Sequence, residues 1–418
     1  MDIASRKENY RSLTGMALES HAEVSRNEKL SLQKAFLALR GYTWQYNGGW
    51  VGQSKTLFRP EIEPFSVPAS LFEGLHIFAL HALDTGKVLA ANVSDIHLSG
   101  IGCDGIFPSE ITNFENCKFL KMNMNVIKGQ LPRSLYNMSS LIELNLSCNL
   151  LSGQLDPESF SHFKKIQILI LSFNQFDGPI PDVFDHMRLL ETLDLSGNNL
   201  SGPLPDTMSN LVNLKYLKLQ SNSLSGLIPL WTEQLVSLKE VNLSKNKFTG
   251  GHNNFNQCSN LERLILNENS LRGSIEPSIL SLSSLRMLYI QNNKIDGKLP
   301  KELFMLTALE HLNVANNYLE GGIPNNLGSL TNLISIVLSG NSITGPVPMS
   351  VTKLVEANNL RDFHIFKPYP SELFEHPRIF RKEEFKKLYL IGPQLGIIII
   401  IIIIIIIIVI IIINIHFS

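Results

Sequence analysis

A glycine recurs about every 24 residues through the middle of this chain, and that column decides what the chain can fold into. It stands at Gly105, Gly129, Gly153, Gly178, Gly202, Gly226, Gly250, Gly273, Gly297, Gly321 and Gly345. An anchor position lies four residues before each glycine. Asn fills it at Asn125, Asn149, Asn174, Asn198, Asn222, Asn246, Asn269, Asn293, Asn317 and Asn341, with Ile101 in a weaker first copy. Of the ten spacings, eight are 24 residues, one is 25 and one is 23. Self-similarity at this period marks a solenoid in which each copy is one supersecondary unit.

Each repeated position has a physical task. Pairs such as Leu193 and Leu195, or Leu217 and Leu219, alternate with period two, which predicts a short strand with one buried face. Leu200 and Leu224 turn the chain inward again. The glycine bends the backbone where a side chain would clash. A buried amide must be hydrogen-bonded, and a carboxamide both donates and accepts, so the anchor Asn is expected to satisfy turn backbone groups in stacked copies. Pro181, Pro205, Pro229, Pro300, Pro324 and Pro348 remove a donor and stiffen the return segment. One copy cannot bury its own apolar face. Eleven stacked copies, residues 93–350, would share a continuous core under a parallel sheet, roughly 50 Å long at ~4.8 Å per strand. The expected fold is an α/β repeat solenoid, with a parallel sheet on the concave side and mostly 3-10 or irregular segments on the convex side.

Composition narrows the function. The 36 basic and 37 acidic residues nearly cancel, so no basic excess points to nucleic acid. Cys103, Cys117, Cys148 and Cys258 show neither CxxC pairing nor zinc-ligand spacing, and are read as separate thiols or at most one bridge. Gly100, Gly102 and Gly105 spell G-x-G-x-x-G, but inside the first repeat and using its own glycine, not between a strand and a helix as a dinucleotide site requires. Kinase, HExxH and G-x-S-x-G motifs are missing, and the histidines are scattered. The chain is therefore expected to be a recognition protein and not an enzyme, with no cofactor and no metal.

The copies Leu190 to Pro205, Leu214 to Pro229 and Leu309 to Pro324 resemble the plant-type leucine-rich repeat, LxxLxxLxLxxNxLxGxIP. The chain looks like the ectodomain of a plant receptor-like protein or receptor-like kinase, without the kinase. That resemblance implies a horseshoe that binds a peptide, glycan or other protein on its concave face, works with a co-receptor kinase, and serves signalling or defence. Departures are visible. The family opens with a signal peptide and a Cys pair near a Trp, whereas Trp44 and Trp50 here have no Cys nearby. GGHNNF after Phe248 lacks the proline, and SIEP displaces it by one.

Strand side chains between the buried leucines would face the ligand. In the middle copies these include Lys215, Tyr216, Lys218, Lys239, Arg263, Arg286, Tyr289 and His311. Aromatic and Arg residues are the usual interface anchors; the other reading of each residue is an ordinary solvated strand face. Five sequons, at Asn92, Asn137, Asn145, Asn199 and Asn242, would carry glycans only in a secretory compartment. The Asn145 and Asn242 sequons also follow directly from the repeated L-N-L-S.

The ends differ from the middle. Residues 1–92 form a divergent N-terminal segment or cap, and 351–394 a C-terminal cap with a basic juxtamembrane stretch; both can equally come from a misjoined gene model. Ile397 to Ile413 is all Ile except Val409. As a helix, this run would reach about 26 Å, close to a bilayer core, so 395–413 is read as a transmembrane segment followed by the short tail 414–418; the other reading is a translated simple repeat of the gene. Basic residues such as Arg381 and Lys382 precede the run, which by the positive-inside rule puts the repeats in the cytosol. The resemblance puts them outside the cell at the plasma membrane. The alternatives are a cytosolic or tail-anchored scaffold, or a secreted inhibitor of an enzyme.

Overall fold

Three-residue strands built on one buried Leu are too short to stand alone, so each must pair with the equivalent strand of the next copy. The computed structural model describes residues 95–252, 254–356, 360 and 362–364. These fall into two compact units, divided after Phe248. The N-terminal segment 1–92, most of 351–394, the isoleucine run 395–413 and the tail lie outside the described residues.

In the N-terminal unit, parallel strands run from Asp95–His97 through Phe119–Lys121, Glu143–Asn145, Ile168–Ile170, Thr192–Asp194 and Tyr216–Lys218 to Glu240–Asn242. They form a front sheet in strict register. Its central column is Ile96, Leu120, Leu144, Leu169, Leu193, Leu217 and Val241, all buried. The C-terminal unit repeats the arrangement with Arg263–Ile265, Met287–Tyr289, His311–Asn313, Ser335–Val337 and Asp362–His364. Outward residues flank each buried one, as the period of two requires.

The anchor asparagines behave as the repeat pattern predicts. Asn198 Nδ2 donates to the carbonyls of Leu195 (3.0 Å) and of Leu171 in the preceding copy (3.1 Å). Its Oδ1 accepts from Phe176 N–H at 3.1 Å. Asn149, Asn174, Asn222 and Asn246 repeat this bridge in the N-terminal unit. Asn293, Asn317 and Asn341 repeat it in the C-terminal unit.

The other side carries more order than 3-10 and irregular segments. Residues after each anchor Asn form a second parallel sheet, through Val126–Gly129, Leu150–Gln154, Gln175–Pro179, Asn199–Gly202 and Ser223–Leu227 in the N-terminal unit. The recurring glycine closes these strands with positive φ, for example +85° at Gly226. The expected 3-10 helices follow, including Asp206–Asn210, Leu230–Gln234 and Lys301–Met305. The prolines start them. Pro205, Pro229 and Pro300 sit at φ −71°, −68° and −67°, and their carbonyls accept from Met208, Thr232 and Leu303 N–H. Pro thus supplies a pre-set φ at a point where no N–H is needed.

A second backbone column is invisible in residue type. The residue just before each anchor Asn lies in the left-handed region: Met124, Cys148, Phe173, Ser221 and Lys245 in the N-terminal unit have φ of 55–60°. Gly197 relieves the strain in one copy, and Gly100 does the same before the first anchor position, Ile101. For a non-glycine residue this region costs ~1–2 kcal/mol. Glycine loses roughly 0.5–1 kcal/mol through its freer unfolded chain. Lys245→Gly should therefore stabilise the N-terminal unit by about 0.5 kcal/mol, seen as a higher urea midpoint with unchanged slope; a lower midpoint would refute the strain argument.

Candidate ligand-binding face

The front-sheet side chains that point away from the core are the exposed functional candidates. Four of the eight singled out, Lys215, Tyr216, Lys218 and Lys239, belong to the N-terminal unit. The other four, Arg263, Arg286, Tyr289 and His311, belong to the C-terminal unit.

In the N-terminal unit, strand Tyr216–Lys218 lies between Thr192–Asp194 and Glu240–Asn242. Lys215 Nζ reaches Glu191 of the preceding copy at 2.8 Å. Lys218 Nζ reaches Glu240 of the next copy at 3.7 Å. Lys121 and Glu143 make the same cross-copy pair at 2.7 Å. Lys239 and Tyr216 are exposed. In the C-terminal unit, Arg286 Nη1 meets Glu310 Oε1 at 2.7 Å. Tyr289 stands in register with Ile265 and Asn313, while Arg263, Met287 and His311 line up in the adjoining column. Burial raises the Tyr289 pKa, Arg263 opposes that rise and Asp362 adds to it. The phenol therefore stays protonated, a hydrogen-bond donor beside a guanidinium.

The sequence puts Glu240 and Glu310 on this face too, but not their pairing with the basic residues. The partners lie 22 or 24 residues away, one copy along, so the signal lies in adding charges down neighbouring columns. The Lys215–Glu191 and Arg286–Glu310 pairs are open to water and contribute little to stability because water and salt screen them, whereas Glu143 and Glu240 are nearly buried. The pairs leave the face balanced and its basic heads extended along the sheet.

The sequons occupy distinct places. Asn199 is exposed on the second sheet, and Asn137 is half-buried on a 3-10 helix. Asn145 and Asn242 stand on the front sheet. The Oδ1 of Asn145 accepts from Ser147 N–H and Oγ–H (3.2 and 2.8 Å), and that of Asn242 from Ser244 (3.1 and 2.7 Å). Asp194 and Ser196 make the same turn without a sequon, so N/D-x-S closes the strand whether or not it is modified. Asn92 lies outside the described residues.

Other chemistry finds no seat. All four cysteines are free thiols. Burial pushes Cys103 and Cys117 up to about 12, the latter helped by Asp95, which leaves them unreactive near neutral pH. Among the described residues no group of His, Cys, Asp and Glu can hold a metal, and no helix is long and apolar enough to cross a membrane. Gly100, Gly102 and Gly105 lie in the first copy, followed by a strand and a 3-10 helix. An apolar void of about 10 Å³ between Leu155, Phe160, Phe184 and Met187 is too small for a ligand of any size.

Comparison with known proteins agrees with this architecture. Residues 120–176, 153–200 and 188–248 match a leucine rich repeat model, and 284–306 and 308–330 match a second one. No curated protein matches the chain. Among solved structures, PEPR1–AtPEP1 is similar with a TM-score of 0.66 and 26% identity, over 82% of this chain and 48% of that one. The Arabidopsis receptor kinase HAESA ectodomain, in complex with an N-terminally extended IDA peptide hormone, is similar with 0.64 and 27%, over 81% and 53%. A plant ice-binding protein shares the fold alone, with a TM-score of 0.59 and 22% identity over 78% of this chain and 98% of that one. The repeats are thus leucine-rich repeats, in a solenoid of the kind found in plant receptor ectodomains. The chain spans about half the length of the receptor structures it matches.

Proposed function

We propose that the chain is a non-enzymatic, receptor-like recognition protein that binds an extended peptide on the front sheet of its C-terminal unit. One observation carries this reading. Arg263, Tyr289 and His311 come from three consecutive strands, and Arg286 directly precedes the middle one, where the carboxylate of Glu310 holds it. A guanidinium is suited to bidentate carboxylate recognition, and the Tyr289 phenol adds a donor and an apolar ring. An acidic side chain or free C-terminus of a peptide fits this set by displacing Glu310. The likeness to HAESA and PEPR1 ectodomains supports a peptide over a glycan. Lys215, Tyr216, Lys218 and Lys239 offer a separate contact surface on the N-terminal unit, for the same class of ligand or for a co-receptor.

Selection from a displayed random peptide library against the full chain tests the reading. The selected peptides should be rich in Asp and Glu or end in a free carboxylate. A variant with Arg263, Arg286 and Tyr289 all changed to Ala should bind them at least tenfold more weakly, about 1.4 kcal/mol or more. Equal binding to that variant would move the site elsewhere.

The reading also places the repeats on the extracellular side of the plasma membrane. Expressed in plant cells, the chain should then lose apparent mass on endoglycosidase treatment, with Asn199→Gln removing part of the shift. No shift in a membrane-bound product would instead favour a cytosolic scaffold.

A further inference from the structure

Two columns of side chains flank the anchor Asn along the edge that joins the two sheets. In the second to fourth copies they hold Met124 and Val126, Cys148 and Leu150, and Phe173. Met124 is 66% exposed, Phe173 58%, Val126 44% and Leu150 37%. The three copies are stitched together, with Asn125 N–H donating to the Cys148 carbonyl and Asn149 N–H to that of Phe173. In the following copies of the unit the same columns turn polar or small: Gly197 and Asn199, Ser221 and Ser223, Lys245 and Lys247.

Met124, Cys148 and Phe173 combine two disfavoured states. Each stands at positive φ, 55–60°, where Gly or Asn does better, and each offers apolar or thiol surface to water. A local conflict repeated in three adjacent copies and nowhere else in the unit marks a surface kept for contact. We propose that this stripe is the docking site of residues 70–83 of the same chain, SLFEGLHIFALHAL.

The position and chemistry of that segment argue for it. Nine of its fourteen residues are apolar and Glu73 is its one acidic or basic side chain apart from histidine, matching a stripe with no charge. Eleven residues separate it from Asp95, the start of the first described strand. Eleven residues reach on the order of 40 Å when extended. The stripe begins one copy along the stack and spans only three, roughly 10 Å from the first to the last. A covalently joined apolar segment has a high effective concentration for such a surface, which a free partner lacks.

Cys148 reports on occupancy, because the other three cysteines are buried. In the full chain a thiol reagent should label Cys148 at least tenfold more slowly than in the urea-unfolded chain. Leu75→Asp with Phe78→Asp should restore the fast rate. So should Met124→Asn with Phe173→Asn, since Asn292 and Asn316 already hold the same backbone geometry in other copies. Fast labelling of the parent chain would overturn the proposal, as would slow labelling that neither double variant changes. Protection that disappears on dilution would also overturn it, and would give the stripe to a second copy of the chain.

Discussion

Replacing Asn198 by Ala should cost the N-terminal unit about 3–4 kcal/mol, one of the largest effects of any polar substitution in the array. The side chain is nearly fully buried, at 7% exposure. Its loss leaves Phe176 N–H without an acceptor and removes a donor from each of the Leu171 and Leu195 carbonyls. An orphaned buried group costs ~1–3 kcal/mol, and the alanine leaves a cavity besides. Asn198→Leu fills the space and should recover little, because the backbone groups stay unpaired. Asn198→Asp keeps the acceptor but aims a carboxylate at two carbonyl oxygens, and should be worse than alanine near neutral pH. In a stack of nearest-neighbour copies the damage is local. Amide hydrogen exchange at Phe176 therefore measures it more directly than global unfolding. Protection at Phe176 that falls less than fivefold, about 1 kcal/mol, would mean the ladder is held by strand pairing alone.

How much of this was legible in the sequence depended on whether a feature is written in side chains or in neighbouring copies. The buried Leu columns, the Asn bridge and the outward column through Lys218 and Tyr289 follow from position within one repeat. A period of 24 fixes the register of every strand, because a one-residue slip would turn Leu217 outward. The second sheet was less visible, since its strands end at or just past a glycine and offer one buried residue each, such as Leu200. The left-handed column could not be seen in composition. Met124, Cys148, Phe173, Ser221 and Lys245 share a backbone state and no chemistry, and only scattered glycines such as Gly100, Gly197 and Gly340 hint at it. At the candidate face the basic residues were legible and their neutralisation was not, because Glu191, Glu240 and Glu310 pair with them across copies.

The same limit applies to His252, where the copy written GGHNNF showed only as one that lacks a proline. The repeat places His252 in the slot filled elsewhere by Ile228, Ile275, Leu299 and Ile323, all buried. His252 is fully buried, and its ring has only the Arg272 backbone near enough to favour the charged form. Burial lowers its pKa from 6.5 to about 4, with the Arg272 backbone opposing the fall. An unfolded histidine titrates near 6.5, so between that pH and about 4 the unfolded chain binds the extra proton. The contribution of neutral His252 is thus complete above pH 6.5 and is lost as the pH falls toward 4. At 1.36 kcal/mol per pH unit the C-terminal unit should lose roughly 3 kcal/mol across that range from this group alone. His252→Ile restores the apolar slot and removes the proton site, while leaving every other titrating group in place. The difference in stability between the parent chain and this variant, followed by urea unfolding from pH 7.5 to 4.5, should therefore widen by ~2–3 kcal/mol on acidification. If the two curves stay parallel, His252 has found a partner for its charge, and the deviant copy is no weaker in acid than its neighbours.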